Sequence, residues 1–266
     1  MKKAFAFILM GFCVAAHAAP KPELWSFWDE HGTDDSVTVS HQSWSDFLSK
    51  YISQKDGVAL LDYGGVSDAD KTSLDDYVDT LAETKARALS KEEQLAYWIN
   101  LYNSLTVKTV LENYPVSSIR KISSGFLPTG PWDDKLISVE GEELSLNDIE
   151  HRILRPIWKD ARLHYAVNCA SFGCPNLADV AYTAENTESL LEAGANAYVN
   201  HSRGAEVRDG RLYVSSIYAW FAEDFGGDDA AIIAHLKQYA DDELSAQLDN
   251  VSSIADDDYD WSLNEK

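Results

Sequence analysis

The sequence predicts a single α+β domain in which a buried central helix packs on a mostly antiparallel sheet. Three observations carry that expectation. Helical and hairpin patterns follow one another without the regular strand–helix–strand alternation that builds a parallel sheet. The segment 90–115 is apolar on nearly every side, which marks a helix enclosed by its own domain. No internal repeat and no Gly-, Pro- or Ser-rich linker divides the chain after its opening residues.

Residues 1–18 read as a secretory signal peptide, leaving 19–266 as the folded domain. Lys2 and Lys3 precede an apolar run from Ala4 to Ala16, and Ala16-His17-Ala18 supplies the small residues of a cleavage point. The run falls short of the roughly 20 residues that a bilayer span needs. Phe12, where a lipoprotein wants a small residue, precedes Cys13. The expected location is therefore periplasmic or secreted, with no membrane span.

Leu24 to His41 is mixed in character and fits a surface wrap. Trp44–Tyr51 and Ser73–Leu81 space their apolar residues as helices do, and Leu60–Tyr63 suits a short strand or turn. In SKEEQLAYWINLYNSLTVKTVLENYP, Ser90 and Glu93 form an S-x-x-E capping box and Pro115 follows the end, so a helix is predicted over 91–113. At about 100° per residue, Glu93, Asn100 and Asn103 share one stripe of it. Amides on a buried helix need partners.

A loop with Gly125, Pro128, Gly130 and Pro131 leads to a strand at Lys135–Val139 and a turn at Gly141. Ser145, with Asp148 three residues on, caps a short helix that Pro156 limits. Leu163–Val167 reads as an apolar strand entering a loop with Cys169 and Cys174. Helices are predicted at Asn186–Tyr198, Ile217–Phe221 and near Asp229–Tyr239. Asp209-Gly210 turns a hairpin within Val207–Val214. The tail, DDDYDWSLNEK, suits a solvated acidic end.

With 44 acidic residues against 22 basic ones, the formal charge is −22, and repulsion from phosphate makes nucleic acid a poor partner. The expected partner is a small-molecule or peptide substrate.

The strings EQLAYWINLYNSLTV, DIEHRILRP, RLHYAVNCASFGCPNL, SSIYAWFAEDFGG and YDWSLN, in that order, resemble the family called domain of unknown function 547 across most of 85–265. The resemblance implies no assigned reaction. Plant members look to carry a cysteine at the position of Cys169 and a serine at that of Cys174, which implies that Cys169 is the sulfur tied to any shared chemistry. The family is also similar to papain-like and transglutaminase-like cysteine hydrolases, and that arrangement is the implied architecture.

A nucleophilic cysteine needs a base, a group that orients the base, and donors for an oxyanion. Cys169 is the candidate nucleophile, in a loop whose Ala170, Ser171 and Gly173 offer backbone N–H groups. His151 is the expected general base with His164 second, because an odd offset from Cys169 along a strand points His164 to the other face. Glu93 is the candidate orienter, although the capping box already explains it, and Glu150 is a weaker one. Asn100, Asn103 and Asn168 are the candidate substrate-binding amides.

The competing reading of the thiols is a Cys169–Cys174 disulfide, natural for two cysteines in an oxidising compartment. His164, Cys169 and Cys174 form H-x4-C-x4-C, which departs from zinc spacing and lacks a fourth ligand. Asp256, Asp257, Asp258 and Asp260 match no EF-hand. Around Ser171 the G-x-S-x-G pattern fails at Cys169. No metal and no cofactor is expected. Trp98, Trp132, Trp220, Phe221, Phe225 and Trp261 either fill the core or line a peptide or sugar groove. The function these residues predict is a secreted or periplasmic thiol-dependent hydrolase or acyl transferase acting on an amide or peptide bond. The alternative is a non-catalytic, disulfide-stabilised peptide- or sugar-binding module.

Overall fold

The computed structural model describes residues 20–122 and 129–266. The expected signal peptide with its expected cleavage point at Ala16-His17-Ala18, and Gly125 and Pro128 of the expected loop, lie outside the described residues. The chain enters along the surface, where the N–H groups of Glu23 and Trp25 donate to the carbonyls of His151 and Arg152. It then forms α1 (Gln42–Tyr51), β1 (Ile52–Lys55), β2 (Val58–Leu61), α2 (Asp68–Glu83) and α3 (Lys91–Glu112). Ser67 and Ser90 cap α2 and α3, accepting from the N–H groups of Asp70 and Glu93. Tyr97, Trp98, Ile99 and Leu101 of α3 have no exposed surface, which makes it the central helix its composition predicts. Truncating a ring buried as fully as Trp98 costs on the order of 3–5 kcal/mol.

After β3 (Ile137–Val139) and β4 (Glu142–Leu144), Ser145 and Asp148 close a reciprocal cap. The Ser145 N–H and hydroxyl donate to the Asp148 carboxylate, and the Asp148 N–H donates back to Ser145 Oγ. A π-helix follows at Asp148–Leu154, in which Arg155 N–H reaches the Glu150 carbonyl five residues back. It runs straight into α4 (Arg155–Trp158), so Pro156 does not end the helix as the sequence suggests. A proline ring stops an α-helix by clashing with the carbonyl four residues earlier, and the wider π turn relieves that contact. The left-handed Lys159 (φ 53°) ends the helix instead.

Leu163–Val167 is not a strand. Leu163–Ala166 makes a single helical turn, α5, with all four side chains buried, and a short apolar run looks the same in either state from periodicity alone. Next come α6 (Thr187–Val199), β5 (Ala205–Arg208), β6 (Arg211–Ser215), α7 (Ser216–Trp220), α8 (Asp229–Tyr239), α9 (Asp242–Leu248) and β7 (Ile254–Asp258). Asp209 and Gly210 both have positive φ, as a two-residue hairpin turn requires.

The fold is α+β, but the expected sheet beneath the central helix is replaced by three small ones: β1–β2, β3–β4, and β5–β6–β7 with an antiparallel and a parallel pair. The main packing partners of α3 are α2 and the π-helix. The reason is composition. Strands such as AEVR and IADDD are short and half polar, and cannot cover a 22-residue apolar helix. One apolar cluster surrounds α3, with Trp28, Trp44, Leu61 and Leu81 among its members. A second, built on Tyr165, Tyr198, Leu212, Tyr218, Phe225 and Leu236, joins α6 and α8 to the third sheet. No described helix is long and apolar enough to cross a membrane.

Candidate functional site

The loop 168–175, between α5 and α6, is gripped from three sides. From α3, Asn103 donates its amide N–H to the Ala166 carbonyl (2.9 Å) and accepts from Asn168 N–H (2.8 Å). Asn168 in turn accepts from Ala170 N–H (2.8 Å) and donates to the Pro175 carbonyl (2.7 Å). From the second cluster, Tyr198 donates its hydroxyl to the Gly173 carbonyl at 2.6 Å.

The third grip is the C-terminal segment, which is no free acidic tail. Phe172 and Gly173 donate to the carbonyls of Ser262 and Asp260, and Asn264 N–H donates to the Ala170 carbonyl. Gly173 is required at this crossing, because a Cβ there would sit 2.8 Å from Asp260 N.

Asn103 and Asn168 therefore hold the loop and have no amide hydrogen-bonding group directed at a substrate. Asn100, one helical turn away, clamps the Tyr182 backbone with both its N–H and its carbonyl oxygen. All three amides expected to bind substrate are positioning residues. They are buried, and each is answered by backbone.

This loop delivers Cys169 to a partly exposed position. Its Sγ lies 2.9 Å from Ser171 Oγ, 3.0 Å from the Tyr259 hydroxyl and 3.1 Å from Cys174 Sγ. The Cys174 thiol hydrogen bond is the strongest influence on its acidity. With the Ser171 and Tyr259 hydroxyls and the Ser171 N–H, it outweighs burial and holds the Cys169 thiol down to about 7. Burial pushes Cys174 the other way, well above the usual thiol range, and the Cys169 sulfur adds to the rise. The two sulfurs are not bonded to each other.

The histidines are elsewhere. Arg155 donates to His151 Nδ1 (3.0 Å), so that nitrogen carries no proton, and burial lowers the His151 pKa. The Nε2–H of His164 donates to Asp224 (2.7 Å), which also accepts from Arg155 Nε (2.6 Å), and the His164 ring stacks on Phe221. Although burial pushes Asp224 up, the bonds from His164 and Arg155 bring its carboxyl down to about 2. Glu150 lies 3.8 Å and 3.9 Å from the two imidazoles, just beyond hydrogen bonding. Neither imidazole is among the partners of the Cys169 sulfur.

Glu93 orients no histidine. It stays at the first turn of α3, accepts from Val39 N–H, and is raised by burial and then by Glu185. The expected oxyanion donors are also committed: Ala170 N–H goes to Asn168 and Gly173 N–H to Asp260, while Ser171 N–H faces the sulfur. Of the aromatic residues, Trp98 and Phe225 are core, and Phe221 covers His164. Trp132 and Trp220 both meet Trp261, and Tyr259 packs on Trp220 and Trp261. His164 does not join the two thiols, and no group of three or more His, Cys, Asp or Glu side chains able to hold a metal ion occurs among the described residues.

Residues 86–199 match the model of a family described as a protein of unknown function, DUF547. Over this stretch the chain is similar to that family. The DUF547 stretch carries α3, the π-helix, the Cys169 loop, both histidines and all three amides. Asp224 and Tyr259, which complete the two clusters, lie after it. No curated protein and no solved structure matches the chain.

Sequence reasoning missed Tyr259, Asn264 and Asp224. Tyr259 and Asn264 stand in YDWSLN and Asp224 in SSIYAWFAEDFGG, two of the strings that carried the resemblance. A resemblance extending into an otherwise acidic tail was the available signal.

Proposed function

We propose that the protein is a thiol-dependent hydrolase or acyl transferase with Cys169 as its nucleophile, acting in the periplasm or outside the cell. One observation carries the reading: a partly exposed sulfur within hydrogen-bonding distance of the Ser171 and Tyr259 hydroxyls and of the Cys174 sulfur, contacts that bring its thiol down to about 7 and so favour the thiolate near neutral pH. A papain-like or transglutaminase-like site places an imidazole on the sulfur. Here the Ser171 and Tyr259 hydroxyls and the Cys174 sulfur surround it instead, so the proposal keeps the nucleophile and leaves out His151, His164 and Glu93 as its acid–base partners.

The thiolate attacks the acyl carbon to form a thioester, the leaving group departs, and water or a second nucleophile then takes the acyl group. Ser171 and Tyr259, 2.8 Å apart, form the hydroxyl pair that can return a proton to the leaving group. Phenol and alcohol are weak acids for that task, which favours esters and thioesters over amides as acyl donors. Trp220 and Trp261, packed on Tyr259, give the acyl group an apolar wall.

The test is reaction with an activated acyl ester, followed by intact-mass detection of a thioester on Cys169. Cys169→Ser is expected to lower turnover by about 10³-fold or more, whereas equal rates in the two proteins would end the proposal. The binding-module alternative rests on the same aromatic rings. It predicts saturable binding of a peptide or oligosaccharide that Cys169→Ser leaves intact.

A further inference from the structure

Loop 168–175 holds a second sulfur that the acyl-transfer reading does not consume. Cys174 is buried, with 5% of its surface exposed, and its Sγ accepts from the Cys169 N–H at 3.0 Å while touching Cys169 Sγ at 3.1 Å. The main chain is folded for this contact. Ala170 takes a left-handed φ of 58°, and the Asn168 side chain braces both ends of the turn, at Ala170 N–H and at the Pro175 carbonyl. A left-handed alanine costs roughly 1–2 kcal/mol. The two sulfurs are unlike: one reaches solvent and is acidic, the other is enclosed and is not. Arg203 donates to the carbonyls of Phe172 and Cys174, placing a guanidinium beside the enclosed thiol.

We propose that Cys169 and Cys174 form a peroxide-reactive dithiol site, in which Cys169 is oxidised first and Cys174 resolves it to an intramolecular disulfide. The balance is simple. The Cys169 thiolate attacks one oxygen of hydrogen peroxide or an alkyl hydroperoxide, an S–O bond forms as the O–O bond breaks, and hydroxide or alkoxide leaves and is protonated. The Cys174 sulfur then attacks Cys169 Sγ, the S–S bond forms, and the sulfenic oxygen leaves as water with the proton from Cys174. Two thiols lose two electrons, and the peroxide gains them.

Resolution is favoured because the second sulfur is already in contact, so no segment has to move to bring it in. Arg203 stabilises the negative charge that Cys174 develops as it gives up its proton. The consequence for the site is reversible blockage: the bridged sulfur cannot attack an acyl group, and it is spared oxidation to sulfinic acid. Only that consequence rests on the acyl-transfer reading. The oxidation itself is read by mass, independently of turnover.

The experiment treats the reduced full chain with one equivalent of hydrogen peroxide and digests it with chymotrypsin, which cuts after Phe172, between the two cysteines. The fragments bearing Cys169 and Cys174 are expected to stay joined, with a mass about 2 Da below their sum, and to separate on addition of dithiothreitol. Cys13 in the leader does not enter this readout. Cys174→Ser is expected to stop at a dimedone-reactive sulfenic acid and to gain about 32 Da with excess peroxide. Cys169→Ser should leave Cys174 reduced at the same dose. Both fragments remaining alkylatable in the wild type would overturn the proposal, as would bridging between molecules or equal oxidation of Cys174 in the Cys169→Ser protein. A bridge that forms in a protein with no acyl-transfer activity would leave this inference standing and remove the other.

Discussion

At the scale of single residues, the Cys169 sulfur owes its acidity to donors rather than to a base, and Tyr259 is the donor that can be removed with least disturbance. Its ring packs on Trp220 and Trp261, and phenylalanine keeps that packing. Tyr259→Phe deletes the hydroxyl bonds to Cys169 Sγ and Ser171 Oγ. The expected outcome is a rise of about half a unit to one unit in the midpoint of the alkylation rate against pH, from its wild-type position near 7. An unmoved midpoint, measured with iodoacetamide, would show that Tyr259 does not stabilise the thiolate.

At the scale of elements, a buried helix supplies the geometry of the loop it supports. Asn103 presents both ends of its amide to the backbone on either side of Val167, so its loss strands a carbonyl and an N–H group in the interior. Each stranded group costs roughly 1–3 kcal/mol. Asn103→Ala is therefore expected to lower the unfolding free energy in urea by about 2–4 kcal/mol, and to slow Cys169 alkylation at pH 7 as the loop loosens. Asn113→Ala, on the exposed end of the same helix, removes one local bond to the Thr109 carbonyl and serves as the control. Its effect should stay within about 0.5 kcal/mol. Equal effects at the two positions would contradict the role given to Asn103.

At the scale of the whole molecule, stability should fall as the solution is acidified, because each apolar cluster has a neutral histidine associated with it. His41 lies against Tyr77 beside the first cluster, and His235 against Tyr165 in the second. Burial lowers both to about 4, from the 6.5 they have when exposed. Between pH 4 and 6.5 the unfolded chain therefore binds more protons than the folded one. The stabilisation is complete above about 6.5 and is lost progressively as pH falls towards 4. At pH 5 each histidine should cost about 2 kcal/mol relative to pH 8. Urea unfolding at the two pH values measures the sum, to which the buried His151 also adds, and His41→Gln should remove about 2 kcal/mol of the difference. A stability equal at pH 5 and pH 8 would refute this account.

Local chemistry was legible from residue order. The capping serines, the span of α3 and the hairpin at Asp209-Gly210 all depend on neighbours a few positions apart, and short-range sterics and hydrogen bonding decide them. The same holds for the demand that Asn100 and Asn103 find partners. What met those demands was decided by tertiary structure. The partners of Asn103 lie 63 and 65 residues away, Tyr259 reaches the sulfur across 90 residues, and Asp224 reaches His164 across 60. No periodicity encodes contacts at such separations, because they form only when the apolar faces around α3 and in the second cluster close on one another. That closure places the histidines against Arg155 and Asp224 and leaves Cys169 with two hydroxyls and a second thiol.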